Sequence, residues 1–294
     1  MAGETVRGKS HEKTGAPNQD ALLWLPVGEP LNPVVLSISD GHGSAKSFGS
    51  EIGSRFAVDA VTRGLQRFSE GRRDAEEALP QSVVRAWKDK VNDHLARNPF
   101  TEEERERLKE IDGEAGLAAV RKNASLAYGA TALGIAVTEE VIVYIQLGDG
   151  DILVVGADGD VSRPLPKDER LFANQTTSLC SPEAWKDFHV CVQTLSPPLP
   201  SLILLATDGY ANSFRDESGF LQVGTDLSTM IRDQGWEFVT GNLETWLKEA
   251  SRDGSGDDIT VGLVAPAPPP PGRSPLARTP LDFLPWNSAR KTHG

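Results

Sequence analysis

Apolar residues group along the chain into short β-branched runs that end at acids, and into longer stretches of helical spacing. Residues 34–43 read Val-Val-Leu-Ser-Ile-Ser-Asp-Gly-His-Gly, an apolar run that stops at an acid, a glycine and a histidine. Such a run is a largely buried strand carrying polar groups at its tip. Residues 202–209 (Leu-Ile-Leu-Leu-Ala-Thr-Asp-Gly) repeat the arrangement, as do 141–150 (Val-Ile-Val-Tyr-Ile-Gln-Leu-Gly-Asp-Gly). Two runs show the reverse order: Asp20 precedes 21–25, and Asp257-Asp258 precede 259–264. In an antiparallel sheet, a strand ending in Asp and a neighbour beginning with Asp put both carboxylates at one edge. The pattern therefore aims Asp20, Asp40, Asp149, Asp208 and Asp257 at one place.

Asp-Gly is also turn chemistry. That accounts for Asp158-Gly159, and it predicts a hairpin at 148–151, because 152–155 resumes as strand at once. It does not account for Asp40-Gly41 or Asp208-Gly209, which lead into polar, helix-like or loop sequence. A strand at 129–137 is joined by a Thr138-Glu139-Glu140 turn to the strand from Val141, and its small residues predict close packing beside the tips.

Helical spacing covers 47–68, a second stretch broken near Pro80 that carries Val83, Val84, Trp87 and Val91, and 101–122, where Thr101 and Glu104 form a capping-box pattern. The charged run 102–110 is a solvated helix face. Two further helices are predicted at 225–234, stopped by Gly235, and at 242–251. Residues 8–20 and 26–33 are turn-rich loops, and 160–196 is an irregular segment of the length expected of a lid or substrate-facing flap. From Pro266 onward the chain is proline-rich. This divides it into a domain at 1–265 and a disordered tail at 266–294, in which Leu281, Phe283, Leu284 and Trp286 form a candidate anchor.

Clustered carboxylates repel one another unless a cation neutralises them, and few Lys or Arg residues lie near these tips in the sequence. All-oxygen ligands suit Mg²⁺ or Mn²⁺, and the Gly41 carbonyl is a further candidate ligand. Zinc is disfavoured, because Cys180 and Cys191 lie in another region and no His pair has ligand spacing. The formal net charge of −12 argues against nucleic acid and anionic membranes as partners. No apolar run approaches the roughly 18 residues of a membrane span. With two cysteines and no signal-peptide core near the start, a cytoplasmic location is expected. His11 and Lys13 are placed to reach an anion.

Taken in order, six motifs resemble the metal-dependent type 2C family of serine/threonine protein phosphatases: Asn18-Gln19-Asp20, Asp40-Gly41-His42-Gly43, Gly129-Ala130-Thr131-Ala132, Gly148-Asp149-Gly150, Thr207-Asp208-Gly209 and Gly256-Asp257-Asp258-Ile259-Thr260-Val261. The match spans residues 5–265 and is most similar to a mainly prokaryotic branch. The resemblance implies an α+β fold of two packed antiparallel sheets flanked by helices on both outer faces, with a two-metal centre at one end. Carried over by position, Asp40, Asp208 and Asp257 hold the metals, the Gly41 carbonyl joins one of them, Asp20 stands close by through water, and Asp149 with Asp208 matches a weaker third site. His42 matches the general acid. Gly15 stands where the family often has an arginine, which leaves His11 or Lys13 to meet the phosphate; Asp258 stands where Asn is usual, and Gly150-Asp151 where Ser-Arg is usual.

The implied activity is hydrolysis of phosphoserine and phosphothreonine by direct attack of a hydroxide bridging two Mn²⁺ or Mg²⁺ ions, with no phosphoenzyme. The implied partners are phosphorylated proteins, in opposition to a serine/threonine kinase, with the chain acting as a monomer. The alternative is a catalytically weak member that binds phosphoproteins as a regulatory module.

Overall fold

The computed structural model describes residues 1–25, 33–69, 75–167 and 176–266. Ten strands and seven helices follow one another within them: β1 (Ala2–Val6), α1 (Lys9–Thr14), β2 (Ala21–Leu25), β3 (Val34–Ser39), α2 (Ser50–Ser69), α3 (Ala75–Arg97), α4 (Glu102–Lys122), β4 (Ala132–Val137), β5 (Val141–Leu147), β6 (Asp151–Val155), β7 (Val161–Ser162), β8 (His189–Thr194), β9 (Leu202–Ala206), α5 (Asp208–Ala211), α6 (Glu217–Gln234), α7 (Trp236–Asp253) and β10 (Ile259–Val264). Two five-stranded antiparallel sheets result, ordered β1-β10-β9-β6-β7 and β2-β3-β4-β5-β8.

Alternation along each strand sorts side chains into layers. Leu36, Ile38, Leu133 and Ile135 of one sheet meet Ile152, Ile203 and Leu205 of the other in a buried layer between the sheets. Their neighbours point outward: Val35, Ala136 and Val143 pack with Val61, Leu65 and Trp87 of α2 and α3. On the far side, Leu153, Leu204 and Val261 pack with Phe220, Leu227, Leu243 and Leu247 of α6 and α7. This is the expected four-layer α+β sandwich, both sheets being covered on both faces.

Several local expectations hold. The capping box forms, with the Glu104 N–H donating to Thr101 Oγ1 and the Thr101 N–H donating to Glu104 Oε2. The 138–140 turn joins β4 to β5 with Thr138 bonded to Val141, and Gly159 at φ 90° closes the β6–β7 hairpin.

Others need correction. The 148–151 turn is not a hairpin: β5 pairs with β4 and β8, whereas β6 pairs with β7 and β9, so the chain crosses here from one sheet to the other. Helix α3 runs unbroken through Pro80, because burial of Leu79, Val83, Val84 and Trp87 along one side outweighs the single backbone bond that proline removes. Helix α6 begins at Glu217, eight residues before the expected start, where Asp216 Oδ1 accepts the Gly219 N–H at 2.9 Å. Helix α7 begins at Trp236 directly after Gly235.

The loop expected over 8–20 contains α1, and the segment 160–196 contains β7 and the edge strand β8. Residues 168–175 of that segment, 26–32 of the loop before β3, and 267–294 of the tail with its candidate anchor lie outside the described residues. Among the described residues, no helix is long and apolar enough to cross a membrane.

Candidate active site

The acids stand where strands of both sheets end. Ala21 pairs with Ser39, so Asp20 at the entry to β2 and Asp40 at the exit of β3 share one end of their sheet. In the other sheet, the Thr207 N–H donates to the Thr260 carbonyl at 3.0 Å, which carries the β9–β10 ladder to its end beside Asp208 and Asp258. Asp208 is the first residue of α5, and Asn212 Nδ2 donates to its Oδ2 at 3.0 Å. Asp149 lies in the turn that crosses between the sheets. One carboxylate oxygen from each of Asp40, Asp149 and Asp208 falls within 4.8 Å of the others.

Backbone and hydroxyl bonds hold this end in place. Thr131 grips Asp40 twice, accepting its N–H at Oγ1 (2.9 Å) and donating its own N–H to the Asp40 carbonyl (2.8 Å). Thr207 Oγ1 donates to Asp20 Oδ2 at 2.8 Å and accepts the Thr260 N–H at 2.9 Å. Thr176 Oγ1 donates to Asp149 Oδ1 at 3.0 Å. Sequence patterning assigned no role to these threonines. The available signal was position, since Thr207 adjoins Asp208 and Thr131 lies in a motif read as packing.

Burial pushes the Asp20 carboxyl up to about 8, with Asp258 adding to the effect. Burial also raises Asp40 well above the carboxylate range, with Asp20 and Asp208 acting in the same sense. Asp208 is raised to about 6 by burial and by the charges of Asp149 and Asp257. Among the described residues, the charges that act most on Asp40 and Asp208 are all carboxylates. An all-oxygen donor set that cannot ionise fully by itself is chemically matched to a hard divalent cation.

Gly41 bridges Ala130, and a Cβ there would lie 2.5 Å from the Gln19 carbonyl oxygen and 2.8 Å from that of Ser50. Packing alone therefore demands glycine at this position. The His42 N–H donates to the Gly129 carbonyl at 3.0 Å. Burial lowers the imidazole pKa, and the charge of Asp149 opposes that shift.

Asp257 stands outside the tight carboxylate group, half exposed, although its charge acts on both Asp40 and Asp208. Its Oδ1 accepts the Asp258 N–H at 2.9 Å. His11 turns its ring onto buried Asp258, with Nδ1 3.0 Å from Oδ2, and Nε2 lies 3.8 Å from Asp257 Oδ1. Lys13 is exposed on the last turn of α1.

No curated protein matches the chain by sequence. Solved structures share the fold. The serine/threonine phosphatase Stp1 from Staphylococcus aureus superposes with a TM-score of 0.57 at 16% identity, covering 91% of this chain and 96% of that one. A bacterial serine phosphatase gives 0.57 at 16% identity, covering 90% and 96%. The catalytic domain of the serine/threonine protein phosphatase PstP, in complex with two manganese ions, gives 0.53 at 18% identity, again covering 90% and 96%. The family described as Protein phosphatase 2C matches residues 7–249, so the chain belongs to the protein phosphatase 2C family.

Proposed function

We propose that the chain is a metal-dependent phosphatase of phosphoserine and phosphothreonine in proteins, in which Asp40, Asp208 and Asp257 hold two Mn²⁺ or Mg²⁺ ions. In this reading the Gly41 carbonyl joins one ion, Asp20 supports the site through water, and Asp149 with Asp208 offers a weaker third position. The observation that carries it is the meeting of Asp40, Asp149 and Asp208 within 4.8 Å from three distant parts of the chain. The two manganese ions of PstP, a protein of the same fold, support the choice of cation. Bound there, two divalent cations supply a water of lowered pKa and neutralise the phosphate.

The protein's own groups do the rest. Thr131 fixes the backbone of Asp40, and Thr207 fixes the carboxylate of Asp20. His42 is held through its backbone at Gly129, and its partly buried imidazole is the proton donor to the departing serine or threonine oxygen. An arriving phosphate dianion favours the protonated ring and so offsets the effect of burial. Lys13, exposed on the last turn of α1, is a candidate cation to meet substrate. The chain acts as a cytoplasmic monomer on phosphorylated proteins and opposes a serine/threonine kinase.

The test is hydrolysis of an aryl phosphate and a phosphothreonine peptide with Mn²⁺, with excess chelator, and after Asp208→Ala. Turnover is expected with Mn²⁺ alone, and the substitution is expected to lower kcat/KM by about 100-fold or more. Activity that persists in chelator, or in the variant, overturns the reading. Metal uptake without turnover on any substrate would instead identify a phosphoprotein-binding module.

A further inference from the structure

Segment 8–11 and the loop 256–258 lie 250 positions apart in sequence between Gly8 and Asp258 and are hydrogen-bonded to one another through Gly8 and Ser10. The Gly8 N–H donates to Asp258 Oδ1 at 2.6 Å, and the Gln19 N–H donates to Asp258 Oδ2 at 2.7 Å. His11 Nδ1 adds a third contact to Oδ2 at 3.0 Å. The Ser10 N–H and Oγ both donate to the Gly256 carbonyl, at 2.8 and 2.6 Å. The Lys9 N–H donates to Ser251 Oγ at 3.0 Å, and that hydroxyl donates to the Asp257 carbonyl at 2.8 Å. A Cβ on Gly8 would fall 2.5 Å from the Asp257 carbonyl carbon and 2.6 Å from the Asp258 nitrogen, so the two segments touch backbone to backbone.

This lattice ends on Asp257. Its carbonyl is held by Ser251, its N–H donates to Ser255 Oγ at 3.2 Å, and its Oδ1 is taken by the Asp258 N–H. The side chain itself is half exposed. Asp258 itself accepts two backbone N–H groups, one on each oxygen, a set that a carboxylate satisfies and an amide does not, because the amide nitrogen would confront another donor. Burial raises the Asp258 carboxyl, and the N–H groups of Gln19 and Gly8, followed by His11, favour its charged form.

We propose that His11 and Asp258 are positioning residues that lock the 256–258 loop and present Asp257 to one of the two cations. The inference rests on the two-cation reading above. It reassigns His11 from contact with phosphate to support of a ligand. Partners of this kind hold ligating carboxylates in orientation, and their loss weakens metal affinity about 10- to 100-fold.

The test is calorimetric titration of the chelator-stripped full chain with Mn²⁺ alone, below the melting temperature, with apo melting temperatures measured alongside. The wild-type chain is expected to take up two ions. Asp258→Asn and His11→Leu are each expected to weaken one site by about 10-fold or more and to spare the other. His11→Asn, which keeps a donor near the Nδ1 position, is expected to return the affinity close to wild type. Unchanged affinities in Asp258→Asn and His11→Leu overturn the positioning role alone. Equal weakening of both sites together with a lowered apo melting temperature also overturns it, because that pattern belongs to a merely structural contact. A wild-type chain that takes up no Mn²⁺ overturns the phosphatase reading and this inference with it. Should Asp258→Asn fail to fold, the contrast between His11→Leu and His11→Asn decides.

Discussion

At Asp20, Asp40 and Asp208, burial and like charge act in the same direction, and the sign of their effect on stability follows. Folded, Asp20 and Asp208 hold protons up to about pH 8 and 6; unfolded, both release them near the ordinary carboxylate value. The stabilisation from these groups is complete below about pH 4 and is lost as pH rises through the folded values. The chelated protein is therefore expected to melt several degrees lower at pH 8 than at pH 5.5, and added Mn²⁺ is expected to raise the melting temperature most at pH 8. Scanning fluorimetry at both pH values, with and without chelator, measures this. His42→Ala removes the proposed proton donor and no carboxylate. It is expected to lower kcat about 100-fold or more while Mn²⁺ affinity stays near wild type, a split that steady-state kinetics and titration resolve.

Among the elements, α3 carries the largest single anchor of the outer layer. Trp87 is fully buried against α2, and its Nε1 donates to the Gly53 carbonyl at 2.9 Å. Trp87→Ala is expected to destabilise the fold by about 3 to 5 kcal/mol in denaturant unfolding, because it opens a cavity and removes that buried hydrogen bond. Strands β3, β5, β9 and β10 were legible in the sequence because near-continuous apolar runs mark strands buried on both faces. The half-buried edge strands β1 and β8 were not, since Ala-Gly-Glu-Thr-Val and His-Val-Cys-Val-Gln-Thr carry too little apolar contrast. Sheet membership was not legible either. Alternation fixes which face a residue takes but not which strand lies beside it, so the turn at 148–151 reads the same whether the chain returns or crosses. The acids of the site were legible as residues at strand tips. The threonines that hold them and the bond between His11 and Asp258 were not, because each joins segments that only the fold brings together.

Across the whole molecule, β10 is the last strand in chain order, filling the place between β1 and β9 and ending at Val264, and each sheet has its own helical cover. A chain ending at Pro266 is accordingly expected to keep the melting temperature and the aryl phosphatase activity of the full chain, which places the domain boundary proposed at 265/266 under direct test. The carboxylates come from both sheets, and Asp149 sits on the strand-to-strand passage between them. Their spacing is thus a gauge of how the two sheets register on one another. A substitution at Leu36 or Ile203, deep in the seam and on the strands that lead to Asp40 and Asp208, would shift that register before it unfolded anything. Such a lesion would pass for an active-site defect while leaving every active-site residue intact.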